Sequence, residues 1–486
     1  MNLRGIGRVL GFLLLVTAGA LLAPVWVDLV YGEGDWPVFL ICAALGLLSG
    51  GLLMWLGRGD LELRNRDGFA IVTLGWLAVG GLGALPFLGT GTIPSVTDAV
   101  FESISGFTTT GSTVMTNIEG VGAAHHAVLF WRSLIQWLGG MGIVVLALAV
   151  LPLLGVGGMQ LFRAESPGPA PDRLTSRISE TARLLWGVYV LITALEVAAL
   201  MLIGGMGLFD AVCHAFTTMA TGGFSTLDSS VGGFRSPAVE WIITVFMFLA
   251  GANFSLHYLA LRGRWGTYAR DDEFRFYTFV VLGTTAIVAA ALFVGRVIDG
   301  IEPTVRAAAF QVVSIVTTTG YGTADYVLWP PVTHIILLLL MTLGGCAGST
   351  GGGIKMMRVL LLLKHAHVEV KKLLHPRAVY TIFFNERPVS AALGTNVLGF
   401  FLLFMIVFVS GTVLLTVAGR DIVTAVGAVA ATLGNIGPGL GDVGPTCNFA
   451  FMSAFEKWVL VLLMLIGRLE LYTVLVLFMP AAWRRV

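Results

Sequence analysis

The chain has 486 residues, 56% of them hydrophobic and only 12% charged, with a mean hydropathy of +0.88. That is too apolar for a soluble domain of this size and implies a polytopic helical membrane protein. The net charge of +1 removes the basic surplus that nucleic-acid binding uses.

Arg4 and Arg8 precede a long apolar run, Val9–Val30. The run outlasts the apolar region of a signal peptide and leads into a second apolar segment, so an uncleaved first helix is expected. Ile6–Val30 and Pro37–Leu56 then make two membrane helices within residues 1–60. Four units follow, at 61–160, 161–265, 266–375 and 376–486. Each reads as a long helix, a short helix, a glycine segment and a second long helix. The first long helices are Gly68–Leu88, Ala182–Ile203, Phe276–Val297 and Val389–Val417. The second ones are His126–Leu151, Ala238–Leu259, Val332–Leu363 and Phe455–Pro480.

The short helices, Val96–Phe107, Leu208–Met219, Thr304–Val316 and Asp421–Leu433, have 12 or 13 residues each. Crossing the hydrocarbon takes roughly 20. Re-entrant half-helices fit, because an unwound stretch at membrane depth is tolerated where it lines a water-filled path. After them come Thr108-Thr109-Thr110-Gly111-Ser112, Ala220-Thr221-Gly222-Gly223-Phe224, Thr317-Thr318-Thr319-Gly320-Tyr321-Gly322 and Asn435-Ile436-Gly437-Pro438-Gly439. Gly111, Gly222, Gly320 and Gly437 stand 111, 98 and 117 residues apart, a near-regular repeat.

The third glycine segment nearly spells the backbone-carbonyl filter of potassium channels. A large monovalent cation needs its water shell replaced by oxygens without the tight trapping of a full carboxylate charge. Carbonyls and threonine hydroxyls do this, and glycine lets the backbone aim successive carbonyls at one axis. Only the third segment carries the full signature, so fewer ordered ion sites are expected than in a tetrameric channel.

Placing the N-terminus in the cytoplasm puts twenty basic residues in the loops and tails of that side, against five or six opposite. This positive-inside bias puts both termini inside and all four glycine segments near the outer face. Asp98, Glu102, Asp210, Asp228, Asp325 and Asp442 fall near that mouth, either concentrating cations or serving as helix caps and solvated charges.

The four cysteines, Cys42, Cys213, Cys346 and Cys447, are scattered without a CxxC or His/Cys grouping, so neither zinc nor a disulfide framework is expected. No GxSxG, metal-ligand cluster or paired carboxylates on an aqueous face is found, so the reading is not an enzyme.

Taken together, the chain resembles the transmembrane subunit of bacterial Trk potassium-uptake systems, in the superfamily that includes the Ktr and plant HKT transporters. Beyond the glycine segments, the likeness rests on Gly139-Gly140-Met141-Gly142-Ile143, Gly155-Val156-Gly157-Gly158-Met159-Gln160, Gly344–Gly353 and Gly467-Arg468-Leu469-Glu470. The two extra N-terminal helices favour the Trk type. The resemblance implies an all-α membrane protein with four M1–P-loop–M2 repeats in pseudo-fourfold array around one pore, paired as a homodimer in the bacterial inner membrane. It assigns K+ to the carbonyls of Thr109, Thr110 and Gly111; Ala220, Thr221 and Gly222; Thr318, Thr319 and Gly320; and Asn435, Ile436 and Gly437. In the plant relatives a serine at the first filter glycine accompanies sodium permeation. Glycine at all four places here favours potassium, with rubidium as a surrogate.

Two features are expected to gate the path. Val332–Leu363 is 32 residues long and holds Gly344, Gly345, Gly348, Gly351, Gly352 and Gly353. Glycine costs up to about 1 kcal/mol in a helix interior, so a break is expected. The resemblance makes it an intramembrane loop under the filter; a small-residue packing surface is the alternative. A phosphate loop is excluded because Gly348–Lys355 lacks the GK[ST] ending. The second feature is Arg468, in the middle of the last apolar stretch. A charge at that depth needs water or a partner; the resemblance points it into the cavity below the filter as a barrier to cations, with a pair to Glu470 as the alternative.

The cytoplasmic stretches Phe162–Arg183 and Lys364–Arg387 are too short to fold alone. Their basic residues suit either lipid headgroups or a docked subunit. The resemblance supplies a cytoplasmic nucleotide-binding partner that holds NAD(H) or ATP/ADP, with no cofactor in this chain. A secondary potassium symporter coupled to protons or sodium is the competing reading, with Glu102, Glu196, His125, His126 and His214 as candidate proton carriers.

Overall fold

A computed structural model describes residues 2–58, 65–142 and 178–480. The Gly155–Gln160 motif, Ile143, the predicted continuation of the helix from 126 to 151, most of the 162–183 stretch, and Arg64, Arg163, Arg173, Arg177, Arg484 and Arg485 lie outside them.

Helices dominate. Leu3–Ala20 and Leu22–Tyr31 form one bent 29-residue apolar span, and Trp36–Leu56 returns against it. They touch through small residues: a Cβ on Gly11 would lie 2.6 Å from Gly50 O, and one on Gly50 2.7 Å from Gly11 O. Close backbone approach of this kind drives helix pairing where lipid is as apolar as leucine. The turn within this hairpin is clasped to the start of the helix His126–Gly140 by two short contacts: His125 Nδ1 to Asp35 Oδ2 at 2.6 Å and His126 Nδ1 to Glu33 Oε1 at 2.5 Å.

Each of the four units then begins with a long helix: Asn65–Gly89, Ile178–Leu202, Asp272–Val294 and Ala391–Val417. Half-helices follow at Val96–Phe107, Leu208–Met219, Ile301–Val316 and Ile422–Leu433. The third starts three residues earlier than the sequence implied. All four are nearly fully buried at their C-terminal ends.

The second long helix of each unit departs from expectation: the first ends early, and the other three break. His126–Gly140 stops at Met141. Pro237–Ala250 and Phe254–Leu261 meet at a 100° bend across Gly251–Asn253, so the continuous Ala238–Leu259 helix is corrected. Pro331–Thr342 gives way to a loop before Met356–Leu374. Ala454–Arg468 ends before Leu471–Leu475, with Glu470 between them at φ +56°. Phe455–Pro480 is therefore also not one helix. Glycines at the breaks explain the position: a Cβ on Gly139 would lie 2.0 Å from Phe107 O, on Gly251 2.7 Å from Thr317 Cγ2 and on Gly467 2.2 Å from Leu433 O. Each returning helix must pass so close to the end of a half-helix that no side chain fits.

Between the helices the charges are internal. Arg132 Nε donates to Glu102 Oε1 at 2.7 Å, both side chains being almost fully buried. Glu102 also accepts from Thr113 Oγ1 and Val114 N at 2.9 Å, and Arg132 donates to Ser225 O at 3.0 Å. One pair thus ties the first half-helix, its glycine segment, the returning helix and the second glycine segment. Removing one partner leaves the other charge buried and alone. Glu102→Ala should destabilise the detergent-purified protein by about 3–5 kcal/mol, measured by denaturant or thermal unfolding against the parent.

Candidate functional site

The half-helices end alike. Thr109, Thr221, Thr318 and Asn435 adopt φ of 54°, 53°, 61° and 55°. Their amides donate three residues back, to Gly106, Thr218, Ile315 and Thr432 carbonyls, at 2.9 to 3.3 Å. The next amides, of Thr110, Gly222, Thr319 and Ile436, donate five residues back at 2.8 or 2.9 Å. This is the Schellman ending, normally built on glycine. Here three β-branched threonines and an asparagine hold the left-handed position, at about 1–3 kcal/mol of backbone strain each. Such strain persists only where the surroundings over-determine it, and it marks the chain reversal from half-helix to glycine segment.

One residue further on, the four segments meet. The glycines with positive φ are Gly111, Gly223, Gly320 and Gly437, at 82°, 73°, 81° and 105°. A Cβ on Gly111 would lie 2.1 Å from Gly222 O, on Gly223 2.0 Å from Thr319 O, on Gly320 1.7 Å from Ile436 O and on Gly437 2.9 Å from Thr110 O. The order runs from the first unit to the second, third and fourth and back to the first. Four carbonyls and four glycines therefore close one ring.

This ring corrects the second quarter by one residue. Thr221, Gly222 and Gly223, rather than Ala220, Thr221 and Gly222, occupy the places of Thr109, Thr110 and Gly111. Ala220 is the last right-handed residue of its half-helix, at φ −74°. Two adjacent glycines left the register open in the sequence, and only the backbone conformation distinguishes them. The other nine expected residues fall where the repeat placed them.

Side chains lock the ring from behind. In the first and third quarters the hydroxyls of Thr108 and Thr110, and of Thr317 and Thr319, pair at 2.7 and 2.8 Å. Ser105 and Ser314 reach forward to Ser112 O and Tyr321 O at 2.6 and 2.8 Å. Neighbouring quarters are joined by Gln136 Nε2 to Gly222 O at 2.7 Å, Tyr321 Oη to His214 O at 3.1 Å, Tyr326 Oη to Gly439 O at 2.8 Å and Asn435 Nδ2 to Thr110 Oγ1 at 2.9 Å. Sequence reasoning missed Gln136, Tyr326 and the side-chain role of Asn435. A polar residue facing a bundle interior was the available signal.

Beneath the ring lies the glycine loop. Gly352 N donates to Thr318 Oγ1 at 2.7 Å, and Thr350 Oγ1 to Met219 O at 3.0 Å. A Cβ on Gly351 would lie 3.0 Å from Thr317 O and one on Gly352 2.7 Å from Gly434 O. The loop thus presses on three of the four half-helix ends. Gly344 N donates to Ile354 O at 2.9 Å and Ile354 N to Thr342 O at 3.1 Å, closing its neck. The break expected at Gly344–Gly353 is present.

Arg468 reaches under the same loop. Its guanidinium donates to Thr350 O at 2.7 Å and to Gly139 O and Gly140 O at 2.7 and 3.0 Å. Glu470, the alternative partner, instead pairs with Arg358. The helix Ala454–Arg468 ends at Arg468, so the two-residue spacing is not a helical one.

The acidic residues near the mouth are mostly engaged. Asp98 pairs with Lys457 Nζ at 2.7 Å, Asp210 accepts from Thr226 Oγ1 at 2.6 Å, Asp228 from Ile118 N at 2.6 Å and Asp325 from Val327 N at 3.1 Å. Capping and bracing thus account for Asp98, Asp210, Asp228 and Asp325. His214 is buried between Asp210 O and Ser225 Oγ at 2.8 and 3.0 Å, and Glu102 is held by Arg132.

Four half-helices pointing their C-terminal ends at one ring of carbonyls, with a loop and a guanidinium below, define a membrane cation-pathway protein. Residues 37–485 match the family of cation transport proteins described as TrkH. The chain is 44% identical over its whole length to the Trk system potassium uptake protein TrkH of Escherichia coli K12, with all of that protein covered. It is 35% identical to TrkG of the same organism, over 99% of both chains. The crystal structure of the potassium transporter TrkH from Vibrio parahaemolyticus superposes with a TM-score of 0.89 at 40% identity, covering 100% of both chains. The chain belongs to the TrkH family of multi-pass membrane cation transport proteins.

The register of the second quarter is open to a stability test. Gly223→Ala meets both a forbidden φ and a backbone oxygen, whereas a Cβ on Gly222 meets the Gln136 side chain at 2.4 Å, which can turn aside. Alanine in the left-handed region costs about 1–2 kcal/mol before any overlap. Gly223→Ala should therefore lower the unfolding temperature clearly more than Gly222→Ala.

Proposed function

We propose that the chain takes up potassium through a single pore whose filter is the ring at Gly111, Gly223, Gly320 and Gly437. The observation that carries this reading is the cyclic contact of each glycine with the neighbouring quarter's carbonyl. Carbonyl dipoles replace the water of a large monovalent cation, and four helix C-termini add their negative ends. No carboxylate is needed at the ring, so the ion is not trapped. Potassium is preferred over sodium, and rubidium substitutes for it.

The resting path is shut below the ring. The Gly344–Gly353 loop occupies the space under Thr318, and Arg468 adds a fixed positive charge that a cation must pass. Opening requires Arg468 to release Thr350 O and the two carbonyls of Gly139 and Gly140. The sequence's charge bias supports a bacterial inner-membrane protein with both termini in the cytoplasm. The relatives are named as parts of a Trk system, which supports a regulatory partner. We assign the nucleotide, NAD(H) or ATP/ADP, to that partner, docked on the basic cytoplasmic stretch Lys364–Arg387, and take the chain to work as a homodimer.

A symporter remains the second reading because of Glu196. It is fully buried in a long apolar helix; among the described residues neither carboxylate oxygen has a hydrogen-bond partner, and Thr218 is its polar neighbour. Reversal potentials in opposed potassium and pH gradients separate the two. A potential that follows potassium alone supports the channel, a shift with pH supports proton coupling, and absence of cation flux overturns the proposal. Arg468→Ala should raise rubidium flux into proteoliposomes by about tenfold, the equivalent of removing roughly 1.4 kcal/mol of barrier; equal or lower flux counts against the arginine as a gate.

A further inference from the structure

One carboxylate holds both limbs of the glycine loop. Glu273 Oε1 accepts from Ala347 N at 2.7 Å and from Met357 N at 2.9 Å. Ala347 lies on the descending limb and Met357 in the first turn of the helix that leaves the loop. Glu273 is buried, at 4% exposure, in the first turn of the long helix Asp272–Val294.

The two residues ahead of Glu273 are tied to a small β-hairpin. Its strands are Phe383–Phe384 and Arg387–Pro388, and Asn385 and Glu386 turn between them at φ 47° and 62°. A two-residue turn with both φ positive fixes the register of a hairpin tightly. From that turn Asn385 Oδ1 accepts from Asp272 N at 2.7 Å, Asn385 Nδ2 donates to Asp271 Oδ2 at 2.8 Å, and Asn385 N donates to Asp272 Oδ2 at 3.2 Å. Lys364 Nζ joins the same junction, donating to Asp272 Oδ2 at 3.0 Å and Phe383 O at 2.8 Å. A line of hydrogen bonds therefore runs from the hairpin turn to Asp271 and Asp272, continues along the chain to Glu273, and passes by hydrogen bonds again to the loop under the ring.

We propose that Glu273 is the positioning residue that latches the loop in place, and that the hairpin at 383–388 is its handle. Displacing the hairpin moves Asp271 and Asp272, withdraws Glu273 from the Ala347 and Met357 amides and frees both limbs together. The proposal rests on the reading of the loop as a gate. It adds where an applied force enters and which atom transmits it. Arg468 holds the loop from the pore side; Glu273 holds it from the opposite side, through a different helix.

The test uses the full-length protein in proteoliposomes without any partner, with rubidium flux and the potassium-to-sodium preference as readouts. Glu273→Ala is expected to raise flux about fivefold or more. Glu273→Gln, which keeps an acceptor oxygen in place, is expected to stay near the parent. Asn385→Ala should raise flux less, and the double variant Glu273→Ala/Asn385→Ala should not exceed Glu273→Ala, since residues on one line do not act additively. The cation preference should be unchanged throughout, which a general loss of structure would not leave intact. A variant lacking Gly351–Gly353 separates the two layers of the argument. If it raises flux while Glu273→Ala matches the parent, the latch is overturned and the gate stands. If it leaves flux unchanged, the gate reading fails and the latch with it. Flux increases that add in the double variant overturn the handle. Should Glu273→Ala not fold, Asn385→Ala at the exposed turn carries the test, and parental flux in it overturns the handle.

Discussion

The structure depends on one steric constraint: four separate stretches of chain must place a backbone carbonyl against the Cα of the next stretch, in a closed circle. At Gly111, Gly223 and Gly320 a Cβ would lie about 2 Å or less from a carbonyl oxygen, so an L side chain is excluded by space as well as by φ. Because the circle closes, no quarter can shift without moving its neighbour. The strained threonines and Asn435 follow from it. Each half-helix must stop abruptly and satisfy its last amides within itself, leaving the carbonyls beyond to meet the neighbouring stretch.

The same crowding dictates what happens below. Returning helices that pass this close to the half-helix ends need glycines there, and glycine-rich stretches at that depth do not continue as regular helix. The first returning helix ends at Gly140, and the other three break at corresponding places. Those of the second and fourth units are compact, and the third unit's is expanded into a loop whose amides and carbonyls are bonded to its surroundings. Backbone groups freed inside a membrane must find partners, and here the amides of Gly352, Cys346 and Ala347 find Thr318, Gly251 and Glu273. The loop is thus an ordered element rather than a slack connection.

Buried polar groups supply the stitching. Arg132 with Glu102 and Gln136 on the Gly222 and Phe224 backbone join the first quarter to the second; Asn435 and Ser112 join the fourth to the first. In the low-dielectric interior such groups are costly when unsatisfied and rigidifying when satisfied. Most candidate proton carriers turn out to be braces of this kind. Glu196, fully buried and with neither oxygen hydrogen-bonded among the described residues, is the exception among them.

The sequence by itself determined the membrane class, the two leading helices and the four-unit repeat, because hydropathy and segment length are local properties. Val96–Phe107 and Leu208–Met219 were legible to the residue, since each is an apolar run too short to span that ends at a threonine–glycine signal. Gly344–Gly353 and Arg468 were legible for a similar reason: six glycines and a lone charge violate what a membrane helix tolerates. What only the tertiary structure decided is register and partnership. Thr221-Gly222-Gly223 offers two alignments with equal local chemistry, and the contact with Thr319 O selects one. Glycines at 139, 251 and 467 look like ordinary small residues until the half-helix ends are set against them. Glu273 stands some seventy to eighty-five residues from the amides it holds. Proximity across the fold is a property of the closed ring and its surroundings, and no local pattern encodes it.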